Sequence, residues 1–258
     1  MKMQSIMAAG CASVASVSAV LASSATWTGG GGDGAGANGL NWSGGVAPGT
    51  AEGSFTSLDI ATFSACNAAR APMASVSVAV DINRNIGGLV FNNIDSTSFV
   101  LNGGPLHLTG GGAIVGGANV TNAATTNSTY TLNAPIVVHG TSLTFTANQP
   151  VGRQGGILPR GQVTFNTPGN ATIIFDGTNT DNQNVQQSTN QMQVGLADPA
   201  GGKLSVVKNG SGTWEFFPLE TSAEPFFTYS GDTVFNEGIV RLRGTGPVGA
   251  LTSSGVSP

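Results

Sequence analysis

The sequence predicts an all-β chain. The expected form is a right-handed parallel β-helix, or β-solenoid, of short stacked strands behind an N-terminal Gly- and Trp-rich cap. Three observations carry this expectation. Short segments alternate apolar and polar residues with period two and close on Gly or Asn, from Ser75–Val80 (SVSVAV) onward. After residue 25 no stretch sustains a helical period. The composition is also unusual, with 39 glycines and only 9% charged residues, against about 25% in ordinary globular domains. Stacked strands give that composition a reason. Each outward position lies about 4.8 Å from its equivalents in neighbouring layers, so like charges would repel while Asn and Thr can form ladders.

Residues 1–25 read as a secretory signal peptide. Lys2 supplies the positive start, Ile6 to Leu21 is uncharged and apolar with interspersed serines, and Ser23-Ser24-Ala25 offers small residues for cleavage. Cleavage would remove Cys11 and leave Cys66 as the only cysteine, which excludes an internal disulfide. Residues 26–63 form the expected cap. Trp27 and Trp42 anchor a small-residue stretch that runs into Asp59, Ala61 and Phe63. An open stack must have its end covered.

Residues 64–258 are assigned to the solenoid. The expected strands are Ser75 to Val80, Ile86 to Phe91, Ser98 to Gly103, Pro105 to Gly110, Ala113 to Gly117, Thr129 to Gly140 and Ser142 to Ala147. Gln162 to Thr167 and Ala171 to Gly177 follow, at a spacing of roughly 20 residues per turn. Gln149 to Arg160 and Asn179 to Gln193 read as loops. The stretch Lys203 to Gly244 holds three further strands around turns at Asn209-Gly210-Ser211-Gly212 and Asn236-Glu237-Gly238. Alternation there directs Trp214, Phe216, Phe235, Val240 and Leu242 inward, and Glu215, Arg241 and Arg243 outward to solvent.

That last stretch carries a motif. Val206, Lys208, Gly210, Gly212, Thr213, Trp214 and Phe216 are followed by Tyr229, Gly231, Thr233 and Gly238. The arrangement resembles the autotransporter-associated β-strand repeat of large exported bacterial proteins, with Trp and Phe in place of leucines. Phe217 to Thr228 is longer than the compact turn of that repeat. The resemblance implies a β-solenoid passenger with a structural or surface role and brings no catalytic residues.

Candidate chemistry is sparse, and no catalytic, cofactor-binding or metal-binding residue is assigned. Asn179-Thr180-Asp181 matches a polygalacturonase motif, and His139-Gly140 is similar to another. Glycoside hydrolysis needs two carboxylates at a defined separation. The sequence has no Asp-Asp pair, and His139 precedes Asp181, so the match is read as coincidence. His107 and His139, the only histidines, read as structural or solvent-facing. Asp176 to Asp181 lacks the repeated Asp positions of a calcium loop. Glu215, Glu220 and Glu224 read as solvated. Asn127-Ser128-Thr129 and Asn209-Gly210-Ser211 are acceptor triplets that this composition produces by chance.

The net charge of −4 includes no acidic or basic run, so no nucleic-acid partner is expected. Nor is a transmembrane segment expected in the mature chain. The expected protein is exported and non-enzymatic. It would be a secreted or cell-surface structural or adhesive passenger, with a surface or extracellular ligand, glycans included. Two alternatives stand beside it: a pectinase-like β-helix enzyme, marked by a carboxylate cluster, and a carbohydrate-binding module using exposed Trp27, Trp42 or Trp214.

Overall fold

The computed structural model describes residues 24–51, 55–64, 75–92, 97–116, 128–148, 156–179, 190–217 and 227–242. Residues 1–23 of the expected signal peptide lie outside the described residues, as do Cys66, Asn127, Thr180, Asp181, Glu220, Glu224 and Arg243. The described chain is all-β with parallel sheets. In order the strands are β1 (Ala25–Trp27), β2 (Ile60–Phe63), β3 (Ser75–Val80), β4 (Arg84–Phe91), β5 (Ser98–Gly103) and β6 (Leu106–Gly116). Next come β7 (Tyr130–Leu132), β8 (Ile136–His139), β9 (Ser142–Ala147), β10 (Ile157–Pro159), β11 (Val163–Phe165) and β12 (Ala171–Asp176). The last are β13 (Gln191–Met192), β14 (Leu204–Lys208), β15 (Thr213–Phe216), β16 (Thr233–Phe235) and β17 (Ile239–Leu242).

Sequence alternation locates most of these strands. It misses β1 and β2, which fall at the two ends of the segment expected as a cap, and β10 and β13, which fall within stretches expected to be loops. In β10 and β13, two or three residues are too few to show a period, and it is pairing that makes them strands: β10 lies beside β7 and β13 beside β15. The two segments expected at Pro105 to Gly110 and Ala113 to Gly117 are one continuous strand, β6, which takes up a register shift against β4 between Ile86 and Gly88.

The largest sheet runs β1-β2-β4-β6-β9-β12-β14-β16, with β8 also on β6 and β11 on β8. A second sheet runs β10-β7-β5-β3 and a third β13-β15-β17. The Gln193 amide donates to the Pro159 carbonyl at 3.0 Å and links the third sheet to the end of the second.

Register repeats one face from strand to strand. Along the large sheet Ala25, Ala61, Leu89, Ile114, Phe145, Phe175, Lys208 and Phe235 form one column. In the second sheet Val76, Phe99, Tyr130 and Ile157 form another. The two sets meet in a shared core. Phe91 stacks on Tyr130 with ring centroids 4.4 Å apart, and Phe175 lies 4.8 Å from Trp214 and 5.2 Å from Phe216. Burying each such aromatic contributes on the order of 1.5–3 kcal/mol.

The Gly-rich segment covers one end of these sheets. Gly36 donates to the Ala79 carbonyl and Ala79 to the Gly34 carbonyl, which pairs the free edge of β3. Thr26 of β1 donates to Ser43 Oγ at 2.9 Å, and Thr28 to the Asn41 carbonyl at 2.7 Å. Asp33 organises the segment by accepting from the Ala35 amide and the Asn38 and Asn41 side chains. These bonds, the Ala35 amide foremost, hold its carboxyl below the usual aspartate range. The boundary expected at residue 25 falls inside β1, where Ala25 is buried and Ser24 Oγ accepts from the Ile60 amide.

The other end corrects the expected inward set. Trp214 and Phe216 are buried, but Phe235 and Leu242 are each 48% exposed and Val240 is half-buried. Phe235 is in register with Lys208, and Leu242 with Phe216. Both therefore occupy core columns, but β16 and β17 are the last strands of their sheets among the described residues. Phe175→Ala is accordingly expected to cost about 3–5 kcal/mol, and Phe235→Ala about 1 kcal/mol. Urea melts of the two variants check this, and equal losses would contradict the difference in burial between Phe175 and Phe235.

Candidate functional site

Five polar features stand out from the columns, and none matches an assignment made from sequence. Lys208 is the first. Alternation puts it on the same face as Leu204 and Val206, so it points into the core at the column position held by Phe175 one strand earlier. It is 1% exposed. Its ammonium donates to the carbonyls of Asn209, Gly210 (2.6 Å) and Glu237 (3.1 Å), which occupies all three N–H donors. Burial pushes its pKa below the usual lysine value, while the charges of Asp176 and Glu237 act in the opposite sense.

These carbonyls belong to the turns after β14 and β16, where Gly210 and Gly238 take φ of +66° and +82°. The turns sit one on the other. A Cβ on Gly238 would lie 2.4 Å from the Gly210 carbonyl oxygen and 2.5 Å from that of Gly212. The Lys-x-Gly-x-Gly spacing thus supplies both the cation and the turns it holds. Period two alone would have found its inward lysine.

The second feature is a relay of side chains on the third sheet. Arg160 Nε donates to Gln193 Oε1 at 2.6 Å, Gln193 Nε2 donates to Gln191 Oε1, and Gln191 Nε2 donates to Glu215 Oε2 at 2.9 Å. Each amide accepts from the cationic side and donates toward the carboxylate, so the chain is polarised from end to end. Glu215 was expected outward and solvated. It does lie opposite Trp214 and Phe216, in register with Gln191 and Arg241. It is nevertheless only 3% exposed, because β15 is buried on both faces.

The third feature is the two histidines. His107 Nδ1 lies 2.6 Å from His139 Nε2, and Phe55 stacks on both rings, with centroids 4.2 and 4.1 Å away. His107 is 7% exposed and its Nε2 has no hydrogen-bond partner. An orphaned lone pair costs less than an orphaned N–H. The fitting tautomer therefore carries the His107 proton on Nδ1 and donates it to His139. Burial lowers both pKa values, and the His139 charge adds to the effect at His107.

The fourth is Asn179, the one described member of the polygalacturonase-like triplet. Its backbone stitches layers together, donating to the Ala147 carbonyl at 3.0 Å and accepting from the Thr213 amide at 2.8 Å. The fifth is a set of ladders. Asn133 donates to Asn102 and Asn102 to Ser77, and Asn236 donates to Asn209.

The indoles are buried: Trp27, Trp42 and Trp214 are 1%, 6% and 1% exposed. Trp42 Nε1 donates to the Gly36 carbonyl and Trp214 Nε1 to that of Asp176. No ring face is offered to a sugar. No group of three or more His, Cys, Asp or Glu side chains suited to a metal ion occurs among the described residues. Nor is any described helix long and apolar enough to cross a membrane. Comparison with protein-family models, curated proteins and solved structures returned no match to this chain.

The stacked turns yield a direct test. Gly238→Ala adds the strain of a left-handed residue, about 1–2 kcal/mol, to a collision with two backbone oxygens that must shift, about 1–3 kcal/mol more. Gly201 has φ of +68° and open space around its would-be Cβ, so Gly201→Ala carries the first cost alone. Denaturant midpoints should fall further for Gly238→Ala, and equal shifts would rule out the close approach of the turns.

Proposed function

We propose that the chain is an exported, non-enzymatic β-solenoid of the right-handed parallel β-helix type. It would serve as a structural or adhesive passenger segment at the cell surface or outside the cell. One observation supports this above others, the eight-residue column from Ala25 to Phe235, whose members pair one to the next along the large sheet's main path and resume their pairing after the register shift between β4 and β6. At strand spacing those steps span about 33 Å. A rigid body that grows by adding strands in one direction suits a stalk.

The chemistry of the described polar groups agrees with that role. Lys208 is spent on turn carbonyls and Glu215 on a glutamine amide, while the histidines engage each other. In the resembling repeat, Lys208, Gly210 and Gly212 are motif positions, and here they build the turn.

Surface labelling of intact cells with an antibody to residues 75–92 tests the proposal, alongside assays of the purified protein on pectins and other polymeric glycans. Labelling of intact cells or recovery from the medium, with no glycan turnover, is expected. A protein confined to the cytoplasm would overturn the export reading. Turnover abolished by Asp181→Ala would overturn the non-enzymatic one.

A further inference from the structure

The pair His107–His139 lies on the face of β6 and β8 opposite the core residues Leu106, Leu108 and Val138. Segment 55–59 crosses that face on its way into β2. Thr109 Oγ1 donates to the Ser57 carbonyl, the Ser57 amide donates to Asn85 Oδ1 at 3.3 Å, and the Gly87 amide donates to the Asp59 carbonyl at 2.8 Å. Phe55 closes the segment down by lying flat on both imidazoles, with interplanar angles of 17° and 19°. We propose that the two histidines form a proton-sensitive clamp, which holds segment 55–59 against the sheet while they share a single proton and releases it when both are protonated.

The geometry selects a proton over a metal ion as the shared species. The ring centroids are 4.9 Å apart and the two nitrogens 2.6 Å apart. The difference reaches about the sum of the two ring radii, the largest value it can take, so the nitrogens face each other head-on. A metal on that line would hold them about 4 Å apart, at about 2.0–2.1 Å per bond. A hydrogen bond fits and demands one donor and one acceptor. Taking up two further protons, one on His139 Nε2 and one on His107 Nε2, turns both facing nitrogens into N–H donors, both rings into cations, and the contact into a repulsion.

No described carboxylate offsets this. On the segment, Asp59 accepts from the Gly49 amide. On β4, Arg84 is paired with Asp81, and the residue in register with His107 is the neutral Asn85. On β11, beside β8, the residues are Val163, Thr164 and Phe165. Glu52, three residues before Phe55, lies outside the described residues and enters the test as a control.

The sign follows from the lowered pKa values. Below the ordinary histidine value near 6.5, the unfolded or released chain binds protons more readily than the clamped one. The clamp is therefore fully held above that pH and weakens as pH falls through it toward the lower, folded values.

Imidazole NMR and amide hydrogen exchange on the intact protein test this between about pH 7.5 and 5. At the upper pH the spectra should show His107 protonated at Nδ1 and His139 accepting at Nε2. On acidification, protection of the Ser57 and Gly87 amides, corrected for intrinsic exchange, should fall about tenfold or more. Protection should be nearly flat with pH in the double variant His107→Gln, His139→Gln, and Glu52→Gln should behave as wild type. Independent titration of the two rings near the ordinary value would overturn the proposal in the wild-type protein alone. So would an acid-induced loss of protection that survives in the double variant or disappears in Glu52→Gln.

Discussion

The structure depends on parallel hydrogen bonding in register. Once one strand lies beside the next with no offset, every residue stands on its equivalent, and a choice made in one strand is imposed on its neighbours. The core columns are the direct result: Phe145 sits on Phe175, and Val76 lies under Phe99 and Tyr130. The outer faces carry neutral polar residues that bond across strands: Asn133 donates to Asn102, and Asn102 donates on the diagonal to Ser77, two residues before its register partner Ala79. Charged side chains repeated at this spacing would repel, and so the chain holds few of them.

The same constraint governs the turns and the ends. Turns must stack as closely as strands do, which leaves no room for a side chain at Gly238 above the Gly210 and Gly212 carbonyls. Stacked turn carbonyls also concentrate negative partial charge, and Lys208 meets it from within. Parallel sheets have edges, and unpaired edges recruit other strands. At β1 and β3 the segment from Gly34 to Ser43 occupies them with its own backbone and side-chain oxygens.

Where polar groups interrupt the apolar or neutral columns they are matched pairwise. A buried charge without partners costs several kcal/mol. Lys208 has its three carbonyls, and Glu215 reaches Arg160 through two glutamines. His107 Nδ1 and His139 Nε2 satisfy one another beneath Phe55, while His107 Nε2 keeps an unpartnered lone pair. Tyr229, whose pKa is raised by burial, bonds Thr233 at 2.8 Å.

Local pattern was enough to place the strands β3 to β5, β9, β11, β12, β14, β15 and β17, the glycine turns at Gly210 and Gly238, and the inward side of Trp214 and Phe216. These follow from period two and from the backbone freedom of glycine, both properties of a few adjacent residues. The same pattern names a face without saying whether anything covers it. Glu215 lies on the expected side of β15 and is buried, while Phe235 and Leu242 stand in core columns and are half exposed. Cover is set by what stacks above, below and across, and the stretch itself does not contain that information. The same holds for β10 and β13, which become strands through their neighbours, and for His107 and His139. Those two are 32 residues apart in the chain, and parallel pairing of β6 with β8 brings them to 2.6 Å. What each stretch can form was written locally; what it meets was decided by the register of the assembled sheets.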